Sequence, residues 1–407
     1  MLPSWLTNEY LQPRLRAYLK DDQVKVVKIS AKPATGKGDN FVGVMARIYV
    51  DYQLGDGSVQ SKTYIVKETC PADAPQAKLF AEYDVYTREM DMYEFILPKM
   101  NQLLQEVGLT EKLTADAISV DRKSGTIILE DLAPYKYVNA DRVKQLDLAH
   151  AQRTLELLAK FHAASIILKE RHPELLSKSL YTHWYSREKK GYTEVWLGFF
   201  RVFLTFINGQ PNLKKLYGDK LKKLHPQIME YAARSYDVAD TELQALIHAD
   251  VWTTNIMFQY DDAGNPRIPV AIDFQFSNFN SPAVDLHYFF NTSLREEVLD
   301  KESELVEYYY NTLKADLDKF SYKGSFPSLK EFKIQFERRR PMCLMVNLLT
   351  PLIVYNGSES TDFKGLYDES PQGLRYQKSI YDNEVVVRIT TKLLARLDQE
   401  GIFDQWA

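Results

Sequence analysis

The stretch Leu246-Ile247-His248-Ala249-Asp250-Val251-Trp252-Thr253-Thr254-Asn255, with Ala271-Ile272-Asp273-Phe274-Gln275 after it, decides how the rest of the chain is read. Apolar and β-branched residues predict short strands at Leu243–Ile247, Asn255–Phe258 and Ile268–Ile272, with a turn at Asp261–Pro266 joining the last two. Asp250, Asn255 and Asp273 then fall on loops at strand ends, where a rigid frame can aim side chains. A single carboxylate in such a place usually caps its own loop. The trio at this spacing points to chemistry.

Working outward, the first third of the chain reads as strand-rich. Val24–Ile29 and then a hairpin of Phe41–Tyr52 and Ser61–Lys67, turning at Gly55-Asp56-Gly57, precede short strands at Ala117–Val120 and Thr126–Leu129. Between them Leu79, Tyr83, Tyr86, Met90, Tyr93 and Leu97 recur at helical spacing, predicting one helix over Ala77–Leu97 that Pro98 stops. After Pro134 the pattern is mainly helical, beginning with a helix over Ala149–Glu170. The expectation is an α+β, two-lobed chain: residues 1–133 form a small antiparallel-sheet lobe and residues 134–407 a large, mainly helical one.

Transfer of a phosphoryl group from ATP needs a carboxylate for the acceptor hydroxyl, oxygen ligands for Mg²⁺, and a lysine for phosphate charge. Lys67, at the end of Tyr64-Ile65-Val66-Lys67, is the candidate lysine. Glu82 and Glu89 follow on one side of a helix, and either can pair with it. The loop Gly36–Asn40 is placed to cover a nucleotide.

These elements, in this order, resemble the protein-kinase-like superfamily, in its branch of aminoglycoside and choline kinases. Closer still, the chain resembles the insect ecdysteroid-kinase-like family. The matching strings are Lys37-Gly38-Asp39-Asn40-Phe41, Leu129-Glu130-Asp131-Leu132, Leu158-Ala159-Lys160-Phe161-His162-Ala163, the 248–258 segment, Ile272–Gln275 and Pro282-Ala283-Val284-Asp285-Leu286. The resemblance implies that Asp250 is the catalytic base and that Asn255 and Asp273 are magnesium ligands. It further implies that Lys67 is the ATP-phosphate lysine paired with Glu89, and that Glu130, Asp131 and Leu132 form a hinge whose backbone holds adenine. Two departures stand out. Ala249 replaces the family's usual glycine, and Gln275 stands where a protein kinase has the glycine of Asp-Phe-Gly. The second argues against a protein-kinase activation loop.

Other residues read as supports. His248 is expected to shape its loop by hydrogen bonding, His162 to be a core histidine, and Asp285 to cap its helix or brace the catalytic loop. Nine aromatic residues between Tyr181 and Phe206 make a core, or in part the wall of a pocket for a flat lipophilic acceptor.

Fifty-one basic against 55 acidic residues give a net charge of −4, with no electrostatic footprint for nucleic acid or anionic lipid. Two cysteines cannot build a disulfide framework or a cysteine zinc site. No run approaches the ~20 apolar residues of a membrane span. A cytoplasmic enzyme is expected, with no obligate protein partner, and the sequons at Asn291 and Asn356 carry no weight. Its cofactors are ATP and Mg²⁺, and its acceptor is a small lipophilic alcohol, an ecdysteroid or related compound. A choline- or aminoglycoside-type kinase with a cationic acceptor, or an inactive pseudokinase serving as a ligand-binding module, are the alternatives.

Overall fold

The computed structural model describes residues 5–34, 44–70, 76–353, 368, 370–381 and 383–404. The loop Gly36–Gly43, with its string Lys37–Phe41, and the sequon at Asn356 lie outside the described residues.

Helix α1 (Asn8–Leu19) precedes three strands, β1 (Lys25–Pro33), β2 (Val44–Gln53) and β3 (Val59–Glu68). Helices α2 (Ala77–Glu82), α3 (Val85–Asp91) and α4 (Leu97–Glu106) lead to β4 (Ala117–Asp121) and β5 (Thr126–Glu130). The five strands form one antiparallel sheet in the order β1-β2-β3-β5-β4. Strand side chains alternate between faces. Tyr64, Val66 and Ile128 therefore pack with Leu11 and Leu15 of α1 on one face. Lys67, between Val66 and Glu68, is turned to the other, where Ile127 and Leu129 join the main core.

The helix expected over Ala77–Leu97 is broken, and Pro98 does not stop it. Asp84 adopts a left-handed conformation (φ 56°) that separates α2 from α3. A wide π-helical turn, Met92–Ile96, then joins α3 to α4, with the Leu97 N–H bonded five residues back to Met92. Pro98 comes directly after this wide turn, and the helical run continues through it from α3 into α4.

The remainder is mostly helical. Strand β6 (Val138–Asn139) and helix α5 (Leu148–Arg171) are followed by α6 (Thr193–Gly209), α7 (Pro211–Leu224) and α8 (Ile228–Tyr236). Then come the short strands β7 (Ala245–Ile247), β8 (Ile256–Tyr260), β9 (Pro266–Ala271) and β10 (Asn278–Asn280). The chain continues through α9 (Ala283–Ser293), α10 (Glu296–Leu299), α11 (Glu302–Lys319), α12 (Leu329–Arg338), α13 (Met342–Ile353), α14 (Pro371–Tyr381) and α15 (Glu384–Gln399). Helix α5, capped by the Asp147 side chain on the His150 N–H, is buried from Leu157 to Leu168 and packs against α4, α11, β7 and β9. The loops 248–255 and 272–277 connect the β7–β10 pair to the β8–β9 hairpin. Among the described residues no helix is long and apolar enough to cross a membrane.

Candidate active site

Strand β7 delivers the chain into the loop His248–Asn255, and that loop is held from three sides. Asp285, in the first turn of α9, accepts the N–H of His248 through Oδ2 and of Ala249 through Oδ1, both at 2.8 Å. It is therefore the loop brace, and His162 adds to it: Nε2 lies 3.1 Å from Asp285 Oδ2, and Nδ1 2.7 Å from the hydroxyl of Tyr309. Ala249 needs that support, because it occupies the left-handed region at φ 63°, where glycine is usual. His248 accepts the Asp250 N–H at Nδ1 (3.3 Å) and donates from Nε2 to the Ile272 carbonyl (3.0 Å). Burial pulls its pKa down, so it stays a neutral strut.

Asp250 ends this turn with both carboxylate oxygens engaged. Tyr288 of α9 donates its hydroxyl to Oδ1 at 2.6 Å, and Asn255 Nδ2 donates to Oδ2 at 3.1 Å. The same Asn255 nitrogen donates to the Asp250 carbonyl at 2.9 Å. Its nitrogen being so used, Asn255 has its carbonyl oxygen left to face a cation. Burial, and then the charge of Asp273, push the Asp250 carboxyl up to about 8.

On β3, Lys67 meets Glu89 Oε1 at 2.6 Å and Asp273 Oδ1 at 2.8 Å. Lysine and Glu89 are nearly buried, whereas Asp273 is about one-fifth exposed. Burial opposes the lysine's charge, but the two carboxylates outweigh it and keep the ammonium protonated. Burial raises the Glu89 carboxyl while Lys67 draws it back. Asp273 is also left-handed, at φ 70°, and its Oδ2 accepts from Gln275 Nε2 at 3.2 Å. Between them the fully buried Phe274 ring packs against Tyr93, Phe161 and His248, locking the segment into the core.

Of the two glutamates open from sequence, Glu89 reaches Lys67; Glu82 instead accepts the Gly191 N–H at 3.4 Å. In the segment expected to be a hinge, the Glu130 side chain accepts from Lys112 (2.6 Å), and Asp131 accepts from Arg47 (2.7 Å) and the Ala133 N–H (3.1 Å). Their side chains are thus committed to the protein. Among the described residues the Leu132 N–H has no partner, which leaves backbone as the polar surface here.

Two participants escaped the sequence reading. Tyr288 is one, and its signal was its place three residues after Asp285, on the same helix face. Arg88 is the other. Its buried guanidinium donates to the carbonyls of Tyr83, Ser179, Thr182 and Gln275, each at 2.8 Å. It ties the helix of Glu89 to the segment after Asp273.

Most of the aromatic stretch is core, including Tyr185, Trp196, Phe200 and Phe203. Trp184 is partly exposed and stacks on Phe276, with centroids 4.3 Å apart.

Solved structures similar to the chain include macrolide 2′-phosphotransferase MphH from Brachybacterium faecium, at 11% identity and a TM-score of 0.42, covering 92% of this chain and 98% of that one. Another is the AMP-bound spectinomycin phosphotransferase APH(9)-Ia, at 15% identity and a TM-score of 0.42, covering 94% and 97% respectively. A comparison with curated proteins finds no match. The family model described as the ecdysteroid kinase-like family matches residues 37–322, well over half of the sequence, and the chain belongs to that family of small-molecule kinases.

Proposed function

We propose that the chain transfers the γ-phosphoryl group of ATP, presented with Mg²⁺, to a hydroxyl of a lipophilic small molecule, an ecdysteroid or related alcohol. The observation that carries this reading is the meeting of Lys67 with Glu89 and Asp273, from separate parts of the chain, opposite the Asp250–Asn255 pair. Glu89 and Asp273 take two of the three N–H donors of Lys67, and the third is available to a phosphate oxygen. Asp250 accepts the proton of the acceptor hydroxyl as that oxygen bonds to the γ-phosphorus. The bond from phosphorus to the β–γ bridging oxygen breaks, and ADP leaves.

Asn255 and Asp273 would hold the metal, and their oxygens suit a hard cation. Among the described residues no cluster of three or more His, Cys, Asp or Glu could hold an ion alone, so phosphate oxygens would complete the shell. Magnesium, when bound, offsets phosphate charge. Adenine would lie against the backbone of Glu130–Leu132, between a lobe of residues 1–133 and one of 134–407. The Trp184–Phe276 plate, three residues from Asp273, offers an apolar face for a flat acceptor.

Product mass spectrometry tests this. The purified chain is incubated with Mg·ATP and, separately, ecdysteroids, bile-acid-like steroids, plant phenolics, choline and aminoglycosides. One added phosphoryl group on a steroid, absent with Asp250→Asn, is the expected result. Phosphorylated choline or aminoglycoside alone would overturn the lipophilic acceptor, and no product with no nucleotide binding would overturn the kinase reading.

A further inference from the structure

The helix behind the catalytic loop grips it at consecutive residues. Asp285 and Tyr288 are three positions apart in α9 and so share a face. Asp285 takes the N–H groups of His248 and Ala249, and Tyr288 takes the side chain of the next residue, Asp250. Every residue from Ala283 to Phe290 is buried, so this face is a rigid part of the core.

We infer that Tyr288 is a positioning residue for phosphoryl transfer, its hydroxyl fixing the Asp250 carboxylate so that a remaining oxygen lone pair meets the acceptor hydroxyl. The inference rests on Asp250 being the base. A carboxylate on a short side chain can rotate about its last bond. Here one donor holds each oxygen, Tyr288 on Oδ1 and Asn255 on Oδ2, and this pins the plane of the group. Each oxygen keeps a second lone pair for the acceptor.

Packing alone does not call for a hydroxyl at this position. The next two residues of the helix, Phe289 and Phe290, are phenylalanines in equally buried places. The ring of Tyr288 belongs to the apolar cluster that also contains Val284, Ala249, Tyr185 and Tyr236, a setting that would suit phenylalanine. The oxygen is 2.6 Å from Asp250, and that contact distinguishes position 288 from its neighbours. A buried tyrosine hydroxyl normally finds a partner, and this one's partner is the residue on which proton transfer depends.

The test compares wild type, Tyr288→Phe, Asp250→Asn and the double variant, with ecdysone and Mg·ATP. If ecdysone is not a substrate, water serves as acceptor and ATP hydrolysis is followed. Tyr288→Phe should lower kcat about 10- to 100-fold, the scale of a misplaced reacting group, with KM for ATP within about twofold of wild type. In the Asp250→Asn background the same change should have little further effect, because the coupled partner is already gone.

Wild-type kcat in Tyr288→Phe beside an inactive Asp250→Asn would overturn the inference while leaving the kinase reading intact. A fully active Asp250→Asn would overturn that reading itself. If Tyr288→Phe melts well below wild type, p-aminophenylalanine at 288 replaces it, retaining the ring and an N–H donor. Its kcat should stay within about tenfold of wild type, and a folded but inactive enzyme would overturn the assignment.

Discussion

Asp285 Oδ1 accepts the N–H of Ala249 at 2.8 Å, and by doing so holds a residue with a side chain in a conformation that favours glycine. Left-handed backbone costs an ordinary residue roughly 1–2 kcal/mol. Replacing Ala249 with glycine removes that cost but adds chain entropy worth about 0.4–1 kcal/mol, and gives up a buried methyl of about 0.8 kcal/mol. The terms nearly cancel. Ala249→Gly should therefore leave the urea-unfolding free energy within about 1 kcal/mol of wild type. A larger loss would mean that the strain at this position is not what the geometry implies.

The brace itself is a different matter. Asp285→Ala leaves two buried N–H groups and one nitrogen of His162 without their acceptor. Each of the three orphaned groups costs about 1–3 kcal/mol, so a loss of about 3 kcal/mol or more is expected in urea unfolding. Turnover should fall as well, since His248 and Ala249 set the direction of Asp250.

Lys67→Ala should reduce turnover by about 100- to 1000-fold, the usual effect of removing one donor that stabilises transition-state charge. Lys67→Arg should not rescue it. A planar guanidinium cannot take the place of a compact ammonium wedged between Glu89 and Asp273. Steady-state rates at saturating ATP decide, and an arginine variant near wild type would contradict the tight geometry.

Two buried groups, one of them beside Tyr288 in α9, make stability depend on pH. His287 donates from Nε2 to the Phe336 carbonyl, and burial together with the Arg340 charge pushes its pKa down to about 3. An unfolded histidine titrates near ~6.5, so between those values the unfolded chain binds the extra proton and folding weakens as pH falls. Glu302 adds to this lower down. Burial opposes its charge, yet Arg340 and Arg396 hold the carboxyl down to about 2, and its contribution fades below the unfolded value of ~4.3. Between pH 7 and pH 4 the urea midpoint of wild type should fall relative to that of His287→Asn, because the variant lacks this proton uptake, whereas Asp250, raised by burial, acts on both proteins alike and in the opposite direction. Two midpoints with the same pH dependence would contradict the His287 assignment.

The residues of the candidate site were legible because each stands in a local pattern. Lys67 closes a strand, Asp250 and Asn255 share one loop, and Asp273 precedes a buried phenylalanine. Choosing between Glu82 and Glu89 by spacing alone was impossible, because they share a side of an uninterrupted helix. The left-handed Asp84 rotates one relative to the other, and no apolar pattern records it. Pro98 misled for a related reason: a proline reads as a stop unless the wide turn before it is known. Arg88 was hidden because three of its four carbonyl partners, Ser179, Thr182 and Gln275, lie far off in sequence, and Tyr288 was passed over because its partner Asp250 does too. A buried arginine on carbonyls leaves no trace in composition or periodicity.

The most direct test of the account is single-turnover phosphoryl transfer by Asp250→Asn, measured with Mg·ATP binding on the same preparation. The geometry predicts ATP affinity within a few-fold of wild type and a transfer rate lower by about 100- to 10,000-fold, the worth of a positioned general base. A variant that binds Mg·ATP and transfers at the wild-type rate would contradict the assignment of Asp250 at the centre of this site.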